Sequence, residues 1–308
     1  MAVAPKAPKK VNYLNNKDIL KEIHTSKNSY CYYVEPEYHR YDLIIDMPDS
    51  TLETSLEYAF KPEQIQAAKE VRATRLSVEA GEKISPDTIA TEDLVFRVMT
   101  WEHVPVAQKQ PRKTAKKKTA KDIIIFDEDD DIDFSDLEDK TTKADVDDMV
   151  HVKVNFPPFQ HFKIDETNTF RCVGKSHWEG GIENGNFNKD HGNITNKLAR
   201  MYMMLCEKYA MKYNWRGYTY NDEMKASAVL QLTYVGLRFN EAKSANPFAY
   251  YTAAITNSFC RVLNTEKRNQ NIRDDILEMN GLNPSFTRQM SGMKVTKPAK
   301  HIIATTKI

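Results

Sequence analysis

The stretch NPFAYYTAAITNSFCRVLNTEKRNQ (246–270) decides how the rest of the chain is read. Asn246 is a natural helix N-cap, and Pro247 suits the first helical position, where its missing N–H is no loss. Phe248, Tyr251, Ile255, Phe259 and Val262 recur at helical spacing and predict a buried face. A second ridge carries Tyr250, Ala254, Asn257, Arg261, Asn264 and Arg268 at alternating spacings of four and three, with Lys267 beside its end. It begins with a ring, passes through amides and ends in guanidinium groups. Rings stack on unpaired bases, amides read base edges and guanidinium groups hold phosphates, so the order suits nucleic acid.

The segments just upstream are also helical in pattern. In NDEMKASAVLQLTYVGLRF (221–239), Asn221 is the expected N-cap, and Asp222 and Glu223 complement the helix dipole. Met224, Ala228, Leu232, Val235 and Phe239 form one apolar stripe. Val229, Leu230, Tyr234 and Leu237 broaden it, so contact on more than one side is expected. ITNKLARMYMMLCEKYAMKYN (194–214) places Ile194, Leu198, Met201, Leu205 and Tyr209 on one face, and WRGYTY (215–220) is a connecting turn. A further helix is expected within 271–286, stopping near Asn280-Gly281. The block 193–275 holds twelve Lys/Arg against seven Asp/Glu, an excess that suits phosphate contact.

The amino-terminal half reads differently. Residues 1–10 are an Ala/Pro/Lys start. VNYLNNKDILKEIH (11–24) is a short helix with Asn16 as its expected cap. Residues 25–108 read as a small, thinly cored α+β module. Within it, 30–45 have strand or turn character, 61–83 form a helix stopped by Ala80-Gly81, and DLVFRVMTW (93–101) is helix or strand. Residues 109–121 then hold seven Lys/Arg, and 122–148 hold thirteen Asp/Glu. Blocks of like charge bury no core, so 109–150 is read as a disordered linker. Residues 151–192 suggest a separate strand-and-turn unit, 193–286 a helical domain, and 287–308 a basic tail. The fold class expected is mainly α, preceded by an α+β region.

Composition excludes several functions across the 308 residues. Ten glycines and no GxGxxG or GxxxxGK[ST] string argue against dinucleotide and phosphate-loop enzymes. Cys31, Cys172, Cys206 and Cys260 are scattered, without CxxC pairs. His161, His177 and His191 lack ligand spacing, and consecutive acids in DEDDD (127–131) cannot converge on an ion without a scaffold, so no metal, cofactor or catalytic residue is expected. Met201, Met203 and Met204 read as core filler. No apolar run reaches membrane-spanning length, and the start lacks a signal-peptide core. With a net charge of +1 and a mean hydropathy of −0.62, a cytoplasmic protein is expected, not an enzyme.

The block from WRGYTYNDEM through NPFAYYTAAITNSFCRVLNTEKRNQNIRDD resembles the late-transcription sigma factors of T-even-type tailed phages, especially the longer cyanophage type. VNYLNNKDILKEI (11–23) is similar to that family's start, and 151–192 is similar to the cyanophage members. The resemblance implies a bundle like the second conserved region of bacterial sigma factors. Its partners would be host RNA polymerase core, gripped at the β′ clamp helices, and partly single-stranded promoter DNA with an A/T-rich −10-like element. Polymerase contact would fall to Asp222, Leu230, Gln231, Tyr234 and Arg238. DNA contact would fall to Tyr250, Thr252, Asn257, Arg261, Asn264, Lys267 and Arg268. Tyr250 would hold a flipped adenine, and Asn257 would read the upstream base pair. Ala253 and Ala254 stand where primary factors carry adjacent tryptophans, which implies weaker intrinsic melting. No second DNA-reading domain for a −35 element is found.

Two more partners of such factors are implied, a phage sliding clamp and a late co-activator. The terminal HIIATTKI (301–308) lacks the acidic clamp motif of the T-even members, and DIDFSDLED (131–139) shares its composition at an internal position. The alternative is an acidic adaptor that binds a basic partner through 122–148 and reads no promoter. The family offers no role for 25–150.

Overall fold

The computed structural model describes residues 14–47, 51–108, 149–167 and 169–293. In chain order the elements are α1 (Asn16–Asn28), β1 (Cys31–Tyr33), β2 (Leu43–Ile45), α2 (Leu52–Ala59), α3 (Pro62–Ala80), β3 (Val95–Met99), β4 (Val106–Gln108), β5 (Met149–His151), β6 (Phe159–Ile164), β7 (Phe170–Ser176), β8 (Trp178–Glu179), β9 (Asn186–Phe187), α4 (Asn196–Ala210), α5 (Asn221–Val235), α6 (Pro247–Met279) and α7 (Phe286–Met293). Helix outweighs strand. Among the described residues, no helix is long and apolar enough to cross a membrane. The chain divides into two compact units, and the division is discontinuous. Residues 1–27 and 193–308 make one unit, and 28–192 make the other.

The helical unit is built around α4, α5 and α6. Thr195 caps α4, its hydroxyl accepting from the Leu198 N–H at 3.2 Å. Leu198, Met201 and Leu205 are then buried as their spacing predicts. On α5, Met224, Ala228, Leu232 and Val235 are buried, and the helix expected to 239 ends at Val235, with Phe239 buried just beyond it. On α6, Tyr251, Ile255 and Phe259 are fully buried, each such side chain contributing about 1.5–3 kcal/mol of hydrophobic stabilisation. Helix α6 begins as expected, the Asn246 side chain accepting from the Ala249 N–H at 3.2 Å ahead of Pro247. It then runs unbroken for 33 residues, so the separate helix expected within 271–286 is its own continuation. It stops where expected, at Gly281 with φ +72°. The chain at 236 passes so close to α4 that a Cβ on Gly236 would stand 2.1 Å from the Tyr202 hydroxyl.

Three local expectations are corrected. Phe248 has the phase of the buried face but is 40% exposed, although Pro247 beside it is buried. Asn221 does not cap α5. It is the first helical residue, and its amide donates backwards to the carbonyls of Trp215 at 2.8 Å and Ala210 at 3.3 Å. Asn16 likewise lies inside α1 rather than capping it. Its side-chain oxygen is buried without a partner, and the Asn15 carbonyl accepts the first bond, from the Ile19 N–H.

The second unit is α+β. Its sheet runs β1-β7-β6-β3-β2, antiparallel except for the β3–β2 pair. Helices α2 and α3 cover one face, where Ile45, Leu94, Phe96 and Ile164 meet Ala59, Ala68 and Ala73. Helix α3 ends at Gly81, whose φ of +75° is the left-handed stop expected there. The sheet corrects the division of this half of the chain. The module at 25–108 and the unit at 151–192 are one, because β3 pairs with β6 from Val95↔Lys163 to Met99↔Phe159. Strand β3 is buried on both faces, which a central strand requires. The charged segment 109–148 lies outside the described residues, as do the start (1–13), the tail beyond 293 and DEDDD. The strands flanking 109–148 pair with each other, Gln108 opposite Met149 and Val106 opposite His151. That segment therefore leaves and re-enters one unit, and the expected linker role is corrected.

Candidate nucleic-acid interface

The outer ridge of α6 separates into two parts. Towards the carboxyl end, Asn257, Asn264, Lys267 and Arg268 are exposed. Among the described residues, none forms an ion pair with Lys267 or Arg268. The acids that follow are already engaged. The Asp274 carboxyl accepts from the Ser285 N–H at 2.8 Å and hydroxyl at 2.7 Å, bonds that hold its pKa below the ordinary carboxylate range. Asp275 and Glu278 both pair with Arg288 on α7. Glu266, next to Lys267, accepts from the Asn269 amide at 3.2 Å, and the basic side chains remain exposed to an outside anion.

The amino-terminal part of the ridge is tied down. Tyr250 is half-buried, and its hydroxyl donates to the Val235 carbonyl at 2.9 Å. Its ring lies 5.7 Å from Phe239 and 5.6 Å from Tyr251, centroid to centroid. The Thr252 hydroxyl donates to the Ala249 carbonyl within the helix. Ala254 is half-buried and Ala253 exposed. Arg261 is half-buried, and one Nη donates to the Gln231 side-chain oxygen at 3.1 Å. The ridge is one surface in phase, but only its lower half is free of the neighbouring helix.

The five residues expected on the α5 face also divide. Leu230 and Tyr234 are 57% and 67% exposed, large apolar groups facing away from the core. Asp222 is exposed beside Lys225. Gln231 is buried and committed to Arg261, so its expected place on an outer contact surface is corrected to the α5–α6 interface. Its spacing signals this: it stands three residues after Ala228 and four before Val235, both in the buried stripe. Arg238 is half-buried, and its Nε is buried without a partner.

A feature with no local sequence signal lies at the base of α6. Lys27 is 1% exposed, and its ammonium donates to the Phe239 carbonyl at 2.7 Å and to both Glu241 oxygens at 2.8 Å. His24 lies 3.5 Å from the same carboxylate. Helix α1 is further bonded to the α4 cap through Ser26 and Glu22, and Lys197 pairs with Glu22.

The second unit offers less for chemistry. Arg97 is 1% exposed, its guanidinium 4.0 Å from the Tyr41 ring and 3.8 Å from Phe159, with Nε donating to His161 at 2.9 Å. His161 in turn bonds the Tyr38 carbonyl, and His177 is packed beside Phe156, so both serve the core. His191 bonds the Asn188 carbonyl. A groove of about 590 Å³ beside β7 brings Arg171, Asp165 and Glu183 near Cys172. Burial pushes the Cys172 thiol up, away from the thiolate a nucleophile needs. Among the described residues, no group of three His, Cys, Asp or Glu could hold a metal ion. No family model, curated protein or solved structure matches the chain.

Proposed function

We propose that this chain is a sigma-type transcription initiation factor, with its helical unit a bundle of the region-2 kind that binds a bacterial RNA polymerase core and captures the melted strand of an A/T-rich promoter element. One observation carries the reading. Helix α6 keeps Tyr251, Ile255 and Phe259 in the core and turns Asn257, Asn264, Lys267 and Arg268 outward, with the Tyr250 ring at the head of the same ridge. The unit boundaries add support. Two of the three stretches that resemble late sigma factors, 11–23 and 193–275, belong to one unit, and the third, 151–192, belongs to the unit 28–192 between them. The exposed Leu230 and Tyr234 supply an apolar face for the polymerase, on a different helix from the DNA ridge.

The mechanism is binding, with no covalent chemistry. Lys267 and Arg268 hold backbone phosphate, Arg261 joins them from its bond to Gln231, and the amides of Asn257 and Asn264 meet base edges. Tyr250 stacks on an extruded base, an interaction worth about 1–3 kcal/mol. Its hydroxyl bond to Val235 fixes the ring's orientation before DNA arrives, which lowers the ordering cost of capture.

The test mixes the purified chain with core polymerase and a promoter bearing a TATAAATA-like element, then maps unpaired thymines with permanganate. Opening at the element is expected. Tyr250→Ala should reduce opening about 5- to 100-fold with polymerase affinity unchanged, and Leu230→Glu should weaken polymerase binding while opening at saturating polymerase is kept. If the intact chain gives no opening, the proposal fails, and the acidic adaptor reading takes its place if a chain lacking 193–275 still binds its partner.

A further inference from the structure

The Tyr250 ring is not positioned by α6 alone. Its hydroxyl ends on Val235, its face rests near Phe239, and Phe239 is 2% exposed. The Phe239 carbonyl is in turn held by Lys27, which also grips Glu241 two residues further on. The turn between α5 and α6 is therefore fixed from outside by a residue 212 positions earlier in the chain. A buried ammonium is tolerated only with good partners, and here it has a carboxylate and a carbonyl. That makes its geometry strict, and strictness suits a device that sets the position of something else.

We propose that Lys27 is a positioning residue for Tyr250, and that α1 acts as a strut setting the turn at 236–246 from which the ring is presented. The inference deepens the promoter-binding reading and rests on it for the ring's role. The strut itself is judged separately. Lys27 touches no DNA. It acts through the carbonyl and ring of Phe239.

Three readouts test it on the full-length chain. The first is amide hydrogen exchange of the free protein. Lys27→Met should raise exchange across 236–252 at least tenfold and leave 196–210 unchanged. The second is promoter opening by the polymerase complex, which Lys27→Met should reduce about tenfold with polymerase affinity unchanged. The third is the Lys27→Met/Tyr250→Ala double variant, which should open promoter no worse than Tyr250→Ala alone. A strut that served only general stability would give multiplied losses instead. The apolar pair Lys27→Met/Glu241→Leu keeps the test usable if Lys27→Met fails to fold, and it should show the same exchange signature. Unchanged exchange at 236–252, or multiplied losses in the double variant, would overturn the inference. If Tyr250→Ala leaves opening intact, the promoter reading fails, and the exchange result alone then decides whether α1 is a strut.

Discussion

The His103 imidazole should make the α+β unit less stable on acidification. His103 follows β3, and its Nε2–H donates to the Ser176 carbonyl at 3.0 Å, while its Nδ1 accepts from the Gln160 amide at 3.1 Å. The ring therefore ties the end of β3 to β6 and β7 in its neutral form. Burial, with the Lys175 charge nearby, lowers its pKa from 6.5 to about 4. A base whose pKa falls on folding binds its proton preferentially in the unfolded chain. The stabilisation is complete above about pH 6.5, declines as pH drops and is exhausted near pH 4. Linkage between these two values gives a loss of about 2–3 kcal/mol by pH 4.5, most of what full protonation removes. The assay is urea unfolding at pH 7.0, 5.5 and 4.5, followed by Trp101 and Trp178 in a Trp215→Phe background. Carboxylates titrate in the same range, so the decisive quantity is the difference from His103→Gln. The variant should be less stable at pH 7 and lose about 2–3 kcal/mol less than the parent on acidification. Parallel pH profiles for the two chains would refute the assignment of a buried neutral imidazole.

Two further outcomes follow from packing and topology. Gly236→Ala should destabilise the helical unit by about 1–3 kcal/mol, because the new methyl would stand 2.1 Å from the Tyr202 hydroxyl in a closed interior; exchange protection of α4 and α6 should fall while that of α2 and α3 is kept. Replacing 109–148 by Asn-Gly should leave the α+β unit folded, since Gln108 and Met149 already face one another across a strand pair; shortening the closed loop should gain about 2 kcal/mol on closure entropy alone, read as a rise in the urea midpoint of that unit.

What could be read from the sequence was whatever local order controls. Asn246, Pro247 and the 3/4 spacing of Tyr251, Ile255 and Phe259 specify the start and inner face of α6 within a few turns. Gly81 and Gly281 specify where α3 and α6 stop. Gln231 was legible in phase, yet the resemblance implied an outer polymerase contact for it; a polar group can take a buried position when it meets a donor such as Arg261. Phe248 fails in the other direction: it shares the phase of Tyr251 and Ile255 and is still 40% exposed. Non-local pairings left no trace. The β3–β6 ladder joins strands on opposite sides of the charged block, and Lys27 meets Glu241 across nearly the whole chain. Nothing near either residue distinguishes it from a solvated lysine or glutamate.

The discontinuous helical unit has a physical rationale in its own joints. Ser26, at the end of α1, and Thr195, the cap of α4, are hydrogen-bonded although 169 positions apart. In the other unit, Tyr30 near its start packs on His191 and so closely on Gly192 that a Cβ there would stand 2.3 Å from the ring. Each unit therefore brings its two crossing points together within itself. That is the condition under which one folded unit can be set inside another at little cost, since neither must stretch to accommodate the connection. The β4–β5 pair repeats the solution within the α+β unit, where segment 109–148 departs and returns between paired residues. Nested insertion of this kind lets seven basic and then thirteen acidic residues be carried without interrupting either core. Helix α1 must nevertheless pair with residues beyond the inserted unit to complete the first one. The bonds of Lys27 and Ser26, together with the fully buried Ile19 and Ile23, join α1 to the unit that holds α6.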